Sequence, residues 1–251
     1  MAIMRPGEFA ITDKGIEVAG LKKESLMYFQ RSLTTYGIIE KLRQAGCGEG
    51  DTVAHLNELG MEAEGIDMSL KMLDVAKKKH PGIKVKMGDG EFLDDYSSYT
   101  FDAITMECVL SLINIPDEAL HEAWCVLKKG GKLIISDLYY KDPDPMKMKA
   151  VKMEAQRLAM KPRKEGDCEE NPTRFVDFRV KGAFFEEPLK AQLREIGYKI
   201  LAFEDRSIDL DNYAAQVLMD GGKLEDLCCD ADFSDKKNKL GYFLLVAQKP
   251  E

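Results

Sequence analysis

The sequence predicts a single α/β domain over residues 1–251, built on a doubly wound and mostly parallel sheet. Three observations carry that prediction. From residue 46 onward, strand-like and helix-like hydrophobic patterns alternate, which is the signature of a parallel sheet covered by helices on both faces. "KLIISD", residues 132–137, is a near-continuous apolar run, as a strand buried on two sides requires. The helical patterns also end at glycine or proline, in two cases just after a run of basic residues, where a chain turns back into the sheet.

In chain order, "TVAHLNELG" places Val53, Leu56 and Leu59 on one helical stripe, with Gly60 as the stop. "EAEGID", residues 62–67, reads as a short strand ending in an acid. In "MSLKMLDVAKKKHPG" Ser69 is the expected N-cap and Leu70, Leu73 and Ala76 the expected buried stripe. Lys77–His80 complement the dipole at its end. "IKVKM" (83–87) and "FDAITM" (101–106) are two further strands. "PDEALHEAWCVLKKGG" is a helix with Leu120, Ala123, Trp124 and Leu127 at helical spacing, closed by Gly130-Gly131. A helix over 187–196 carries Pro188 in its first turn and stops at Gly197, and "YKILAF" and "GYFLLVA" supply the last two strands.

Two segments stand outside the alternation. Residues 1–40 read as a mostly helical N-terminal segment. Residues 141–182 interrupt the pattern, and "MKMKAVKMEAQRLAMKPRK" within them carries Val151, Ala155, Leu158 and Ala159 on one stripe. That stretch is either a surface helix packed on the domain or a cap over a substrate site, whose adaptable Met side chains would line the pocket.

Composition excludes several classes. With 36 Lys and Arg against 44 Asp and Glu, the net charge of −8 argues against an extended nucleic-acid footprint. No stretch has the roughly 18 uninterrupted apolar residues of a membrane span. The N-terminus lacks a secretory apolar run. The six cysteines form no CxxC pair, so no metal site is expected and the thiols read as reduced, in a cytoplasmic protein.

In such sheets ligands bind beyond the carboxyl ends of the strands. Gly46–Asp51, Asp67, Gly88–Glu91, Glu107–Ser111 and Asp137–Tyr140 are therefore expected on one rim. In "GCGEGD" the glycines Gly46, Gly48 and Gly50 let the backbone turn tightly and approach a ligand. Asp51 stands where a dinucleotide fingerprint wants a third small residue, and with Glu49 it would repel a pyrophosphate. The loop suits a ligand with positive charge and no phosphate. Asp67, ending the second strand, can accept two ribose hydroxyls, which points to a cationic nucleoside.

Residues 46–137 resemble the cofactor half of class I S-adenosylmethionine-dependent methyltransferases, in the small-molecule branch that includes ubiquinone/menaquinone-type and arsenite methyltransferases. The stretches "GCGEG", "GIDMS", "GDGEFL", "FDAITMECVLSL" and "VLKKGGKLIISD" carry the resemblance. "RPGEFAITDKGIEVAGL" and "MECVLSL" are similar to an uncharacterised bacterial and archaeal subgroup with no known substrate. The resemblance implies a Rossmann-like, seven-stranded sheet with an antiparallel last strand, S-adenosylmethionine as cofactor, and methyl transfer to a small molecule. It implies that Gly46, Cys47 and Gly48 line the methionine moiety and that Asp67 binds the ribose. Met68 would pack on the adenine, Asp89 would accept the adenine amino group with Gly90 nearby, and Glu107 would lie near the cofactor's amino-acid end.

One departure stands out. Where "VLD-G" is usual, this chain has Leu42-Arg43-Gln44-Ala45, which puts a charge on a central strand. The first strand is either short there, or it is "SLMYF", residues 25–29, followed by a long excursion. The first option leaves open a non-catalytic binder of S-adenosylmethionine or S-adenosylhomocysteine with a degraded first strand. A nicotinamide or flavin oxidoreductase is the weaker alternative. For the acceptor, Cys108, Asp137, Tyr139 and Tyr140 are the candidate contacts. No catalytic residue is demanded, because direct displacement gains most from alignment and exclusion of water. The adjacent Cys228-Cys229 pair suggests metal capture, but neighbouring cysteines usually face opposite ways.

Overall fold

A computed structural model describes residues 5–22, 26–30, 48–93, 95–113, 115–141, 146, 149, 179–180, 183–222 and 240–251, with residues 26–30 and 179–180 described as backbone only. The first helix, α1 (Glu8–Ala19), precedes the strand β1 (Leu26–Gln30). Then come α2 (Asp51–Glu58), β2 (Glu62–Asp67), α3 (Leu70–Lys79), β3 (Lys84–Met87), β4 (Phe101–Glu107) and α4 (Pro116–Val126). β5 (Leu127–Tyr140) is followed by the short pair β6 (Arg179–Val180) and β7 (Ala183–Phe184), then α5 (Glu186–Ile196), β8 (Lys199–Asp205), α6 (Ser207–Met219) and β9 (Leu240–Gln248).

The sheet runs β3-β2-β1-β4-β5, with β9 on the far side of β5 and β8 beyond it. β2, β1, β4 and β5 pair in parallel, whereas β9 is antiparallel to both β5 and β8. These seven strands are the expected ones. The two-residue strands β6 and β7 are additional, and β7 attaches where β5 outruns β4: β4 pairs with β5 up to Ser136, and β7 pairs at Tyr139.

Alternation along the central strands sorts side chains onto two cores. Leu133 and Ile135 of β5, Ile104 and Met106 of β4, and Phe243 and Leu245 of β9 face α4 and α5, which contribute Leu120, Ala123, Leu189 and Leu193. Ile134, Leu138, Leu244 and Val246 face the other way, against Ile11 and Ile16 of α1, Val53 and Leu56 of α2, and Leu210 of α6. A strand covered on both sides has no polar face to show, which is why "KLIISD" lacks alternation. Each of the larger side chains among these, Val, Leu, Ile, Met or Phe, contributes about 1.5–3 kcal/mol on burial.

Of the two options for the first strand, the structure takes the second: Leu26–Gln30, in register with β2 and β4 and well before the glycines. Arg43 and Gln44 lie outside the described residues. Within the N-terminal segment the described residues hold the helix α1 and the strand β1. Other expectations change. Leu70 is 64% exposed; the buried side of α3 is Met72, Leu73 and Ala76. Position 70 opens the helix, ahead of the turn whose residues are buried. Leu127 starts β5 instead of closing α4. Helix α6 has no counterpart in the sequence reading. Of residues 141–182, only Lys141, Met146, Lys149 and the backbone of 179–180 are described, so the cap lies outside the described residues, as do Cys228 and Cys229.

Candidate functional site

The carboxyl ends of β2, β3 and β4 bring the candidate residues to one rim. Gly48 is buried with φ +91°, and a Cβ there would sit 2.9 Å from Asp67 Oδ2 and 2.9 Å from Met72 Cβ. Only glycine lets the loop pass this close to the acid. Gly50 caps α2 with φ +77°, and its missing Cβ would meet Ile83 Cδ1 at 2.5 Å. Gly46 and Cys47 lie outside the described residues. Asp67, 3% exposed, ends β2 and accepts the Ser69 N–H at 2.7 Å. Met68, between them, is half-buried.

The loop after β3 is set from two sides. Asp89 accepts the Glu91 N–H at 3.0 Å and, through its carbonyl, the Phe92 N–H at 3.2 Å, with Gly90 buried between. From α4, Glu122 accepts the Leu93 N–H at 2.9 Å; Glu91 accepts the Ile115 N–H at 3.3 Å. The loop that carries Asp89 is therefore tied to α4 and its N-cap through Leu93 and Glu91.

The acids of the glycine loop do not face a ligand. Glu49 pairs with Lys79 at 2.7 Å, and Asp51 pairs with Lys79 at 2.9 Å and His80 at 2.7 Å. The expectation that they select a cation is corrected: they are neutralised by the end of α3, and they fasten the loop to it. These contacts raise the Lys79 pKa against the opposing effect of burial.

Glu107, 1% exposed, is met by a residue that sequence reasoning passed over. Arg5, 2% exposed, forms an ion pair with it at 2.9 Å. Thr12 donates to Glu107 Oε1 at 2.6 Å, and Thr52 to Oε2 at 3.3 Å. Arg5 also donates to Thr52 at 2.7 Å, to Thr12 at 2.7 Å and to the Glu8 carbonyl at 3.1 Å. A carboxylate buried at a strand end demands such partners, and that demand was the one available signal for Arg5. His55 joins the same docking: it bonds Asp13 at 2.6 Å and stacks on Phe9, holding α1 to α2.

On the acceptor side Cys108 follows Glu107 with φ +52°, half-buried, its Sγ 3.0 Å from the Tyr242 hydroxyl, which reaches Ser136 Oγ at 3.2 Å. Burial and the neighbouring Cys108 push the Tyr242 pKa well up, so the phenol stays protonated. Asp137 accepts the Ser111 and Leu138 N–H groups, both at 2.8 Å. Tyr139 is 5% exposed, edge-on to Phe203 and Phe243; burial, then Asp205, pushes its pKa up to about 12. Tyr140, 2% exposed, packs on Phe185. Asp137, Tyr139 and Tyr140 thus stand in the frame, while Cys108 remains partly open. Among the described residues no helix is long and apolar enough to cross a membrane.

A methyltransferase domain family (Methyltransf_11) matches residues 44–135, and a domain of unknown function (DUF1967) matches residues 17–57. A demethylmenaquinone methyltransferase of Renibacterium salmoninarum is 32% identical over 98 residues, 39% of this chain and 41% of that one. The chain spans about two fifths of the length of the curated relatives it matches. Among solved structures, the [4+2]-cyclase SpnF superposes with a TM-score of 0.61 at 18% identity, over 96% of this chain and 80% of that one. Phosphoethanolamine N-methyltransferase 2 of Haemonchus contortus, in complex with S-adenosyl-L-methionine, gives a TM-score of 0.61 at 15% identity, over 98% and 54%.

Proposed function

We infer, from the methyltransferase-domain match over residues 44–135 and the fold shared with solved methyltransferases, an S-adenosylmethionine-dependent methyltransferase acting on a small molecule. The observation that carries the reading is the meeting of Gly48 with Asp67 at the end of β2, beside the Asp89–Gly90 loop. The missing Cβ of Gly48 lets the loop backbone come close to that buried carboxylate. A ribose diol offers two donors in the spacing a carboxylate accepts.

In this reading Gly46, Cys47 and Gly48 line the methionine chain, with Gly50 turning the loop into α2. Asp67 holds the ribose, Met68 packs on the adenine, and Asp89 takes its amino group beside the Gly90 backbone. Glu107 receives the ammonium at the amino-acid end. When bound, the cofactor supplies a sulfonium-activated methyl group for direct displacement. The protein's own contribution is to orient and to exclude water.

The acceptor enters at Cys108. The carboxylate of Asp137 accepts the Ser111 N–H and so places the turn after Glu107, while the rings of Tyr139 and Tyr140 pack on Phe203 and Phe185. The family match ends at residue 135, before the 141–182 segment that we assign as cap. The fold also serves a [4+2]-cyclase, so the chemistry rests on the site and not on the fold. The test is S-adenosylhomocysteine formation from S-adenosylmethionine over a panel of reduced quinones, phenols, amines and thiols. Turnover with one class, lost in Asp67→Asn, supports the reading. An enzyme that binds S-adenosylmethionine but methylates none of the panel would refute the small-molecule assignment.

A further inference from the structure

We propose that Arg5 is the receptor for the α-carboxylate at the amino-acid end of the cofactor, so that Arg5 and Glu107 together hold a zwitterion. The proposal rests on the function proposed above and deepens its site.

Four observations support it. First, Arg5 and Glu107 are nearly fully buried at the carboxyl end of β4, the edge where ligands bind in such sheets. A buried ion pair is a poor stabiliser compared with apolar packing, so stability alone does not account for one at a ligand edge. Second, the guanidinium is only partly used. Its two terminal nitrogens bond Thr52, Thr12, the Glu8 carbonyl and Glu107, yet the buried Nε–H has no acceptor among the described residues. A buried donor without an acceptor is costly, and a carboxylate oxygen would satisfy it.

Third, Arg5 donates to Thr52, in the first turn of α2 directly after the glycine loop. The first-turn N–H groups of that helix add to the attraction for an anion. Fourth, the charges match. The pair is neutral, so a lone anion or a lone cation would leave a buried net charge, whereas an ammonium and a carboxylate arriving together leave none. Because Arg5 stands just ahead of α1, the N-terminal segment becomes part of the cofactor site. α1 is seated for that role by the Asp13–His55 bond and the Phe9–His55 stack.

Titration calorimetry with three ligands tests this: S-adenosylhomocysteine, its decarboxylated analogue S-adenosylthiopropylamine, and 5′-methylthioadenosine, which lacks the whole amino-acid end. Wild type should lose at least 30-fold in affinity when the carboxylate alone is removed. Arg5→Met should weaken S-adenosylhomocysteine by at least 30-fold and 5′-methylthioadenosine by less than threefold. Arg5→Lys keeps the charge beside Glu107 and decides the matter where the Met variant does not fold; it should lose about tenfold for S-adenosylhomocysteine and nothing for the decarboxylated analogue. Equal wild-type affinity for the carboxylate-bearing and decarboxylated ligands would overturn the assignment. So would a parallel loss for S-adenosylhomocysteine and 5′-methylthioadenosine in both variants, which would make Arg5 a clip for α1. Wild type that binds none of the three would instead bring down the function proposed above, and this inference with it.

Discussion

Asp117 offers a sharp test of how the helical layer is built. It lies in the first turn of α4, 1% exposed, where Gln192 of α5 donates to its Oδ1 while Oδ2 has no donor among the described residues. Burial, only partly offset by Gln192 and reinforced by Glu118 and Glu195, lifts its pKa from 3.8 to about 7. The folded state therefore holds this proton more tightly than the unfolded chain does. Its contribution is fully present below pH 3.8 and is lost as the pH rises through about 7. The shift of about three units corresponds to roughly 4 kcal/mol at most, and the helix N-terminus returns about 0.5–1 kcal/mol of that by favouring the anion. Asp117→Asn keeps an acceptor for Gln192 and cannot ionise. Denaturant unfolding of both proteins at pH 5 and pH 8.5 isolates the group, since every other titration cancels. The variant should gain about 2–3 kcal/mol relative to wild type between the two pH values. A stability difference that does not change with pH would refute the reasoning.

Gly50→Ala places a Cβ 2.5 Å from Ile83 Cδ1 at φ +77°, and should lower stability by about 2–4 kcal/mol, read as a fall in melting temperature. Glu107→Ala strands the buried Arg5 guanidinium and should cost about 3–5 kcal/mol, measured by denaturant unfolding. His55→Ala removes both the Asp13 bond and the Phe9 stack, so amide exchange in α1 should speed up while that of β4 and β5 stays unchanged.

Much of this architecture is legible in the sequence because its signals are local. The two-sided apolar run of β5, the Ser69 cap and the Gly197 stop each depend on a few neighbouring residues, and all three are found in place. What was misread depends on partners far along the chain. Glu49 and Asp51 look like a field aimed at a ligand until Lys79 and His80 meet them. Leu70 fits the helical period of α3, yet the period does not say where burial begins, and this first residue of the helix stays exposed. The sequence offers two runs for the first strand, and only the pairing of Leu26–Gln30 with β2 and β4 decides for the upstream one. Helix α6 buries Leu210 and Tyr213, three residues apart, but its remaining face mixes exposed apolar and acidic side chains and blurs the period. Arg5 carries no local mark at all. Only the burial of Glu107 at the end of β4 calls for it.

The central claim is that Gly48, Asp67 and the Asp89 loop form a site for an adenosyl cofactor, and calorimetric titration of ligand-stripped protein with S-adenosylhomocysteine, with NAD as the control, tests it most directly. The account predicts saturable micromolar binding of S-adenosylhomocysteine, weakened at least tenfold in Asp67→Asn, and no binding of NAD. Binding of NAD in preference, or of S-adenosylhomocysteine with undiminished affinity in Asp67→Asn, would contradict it.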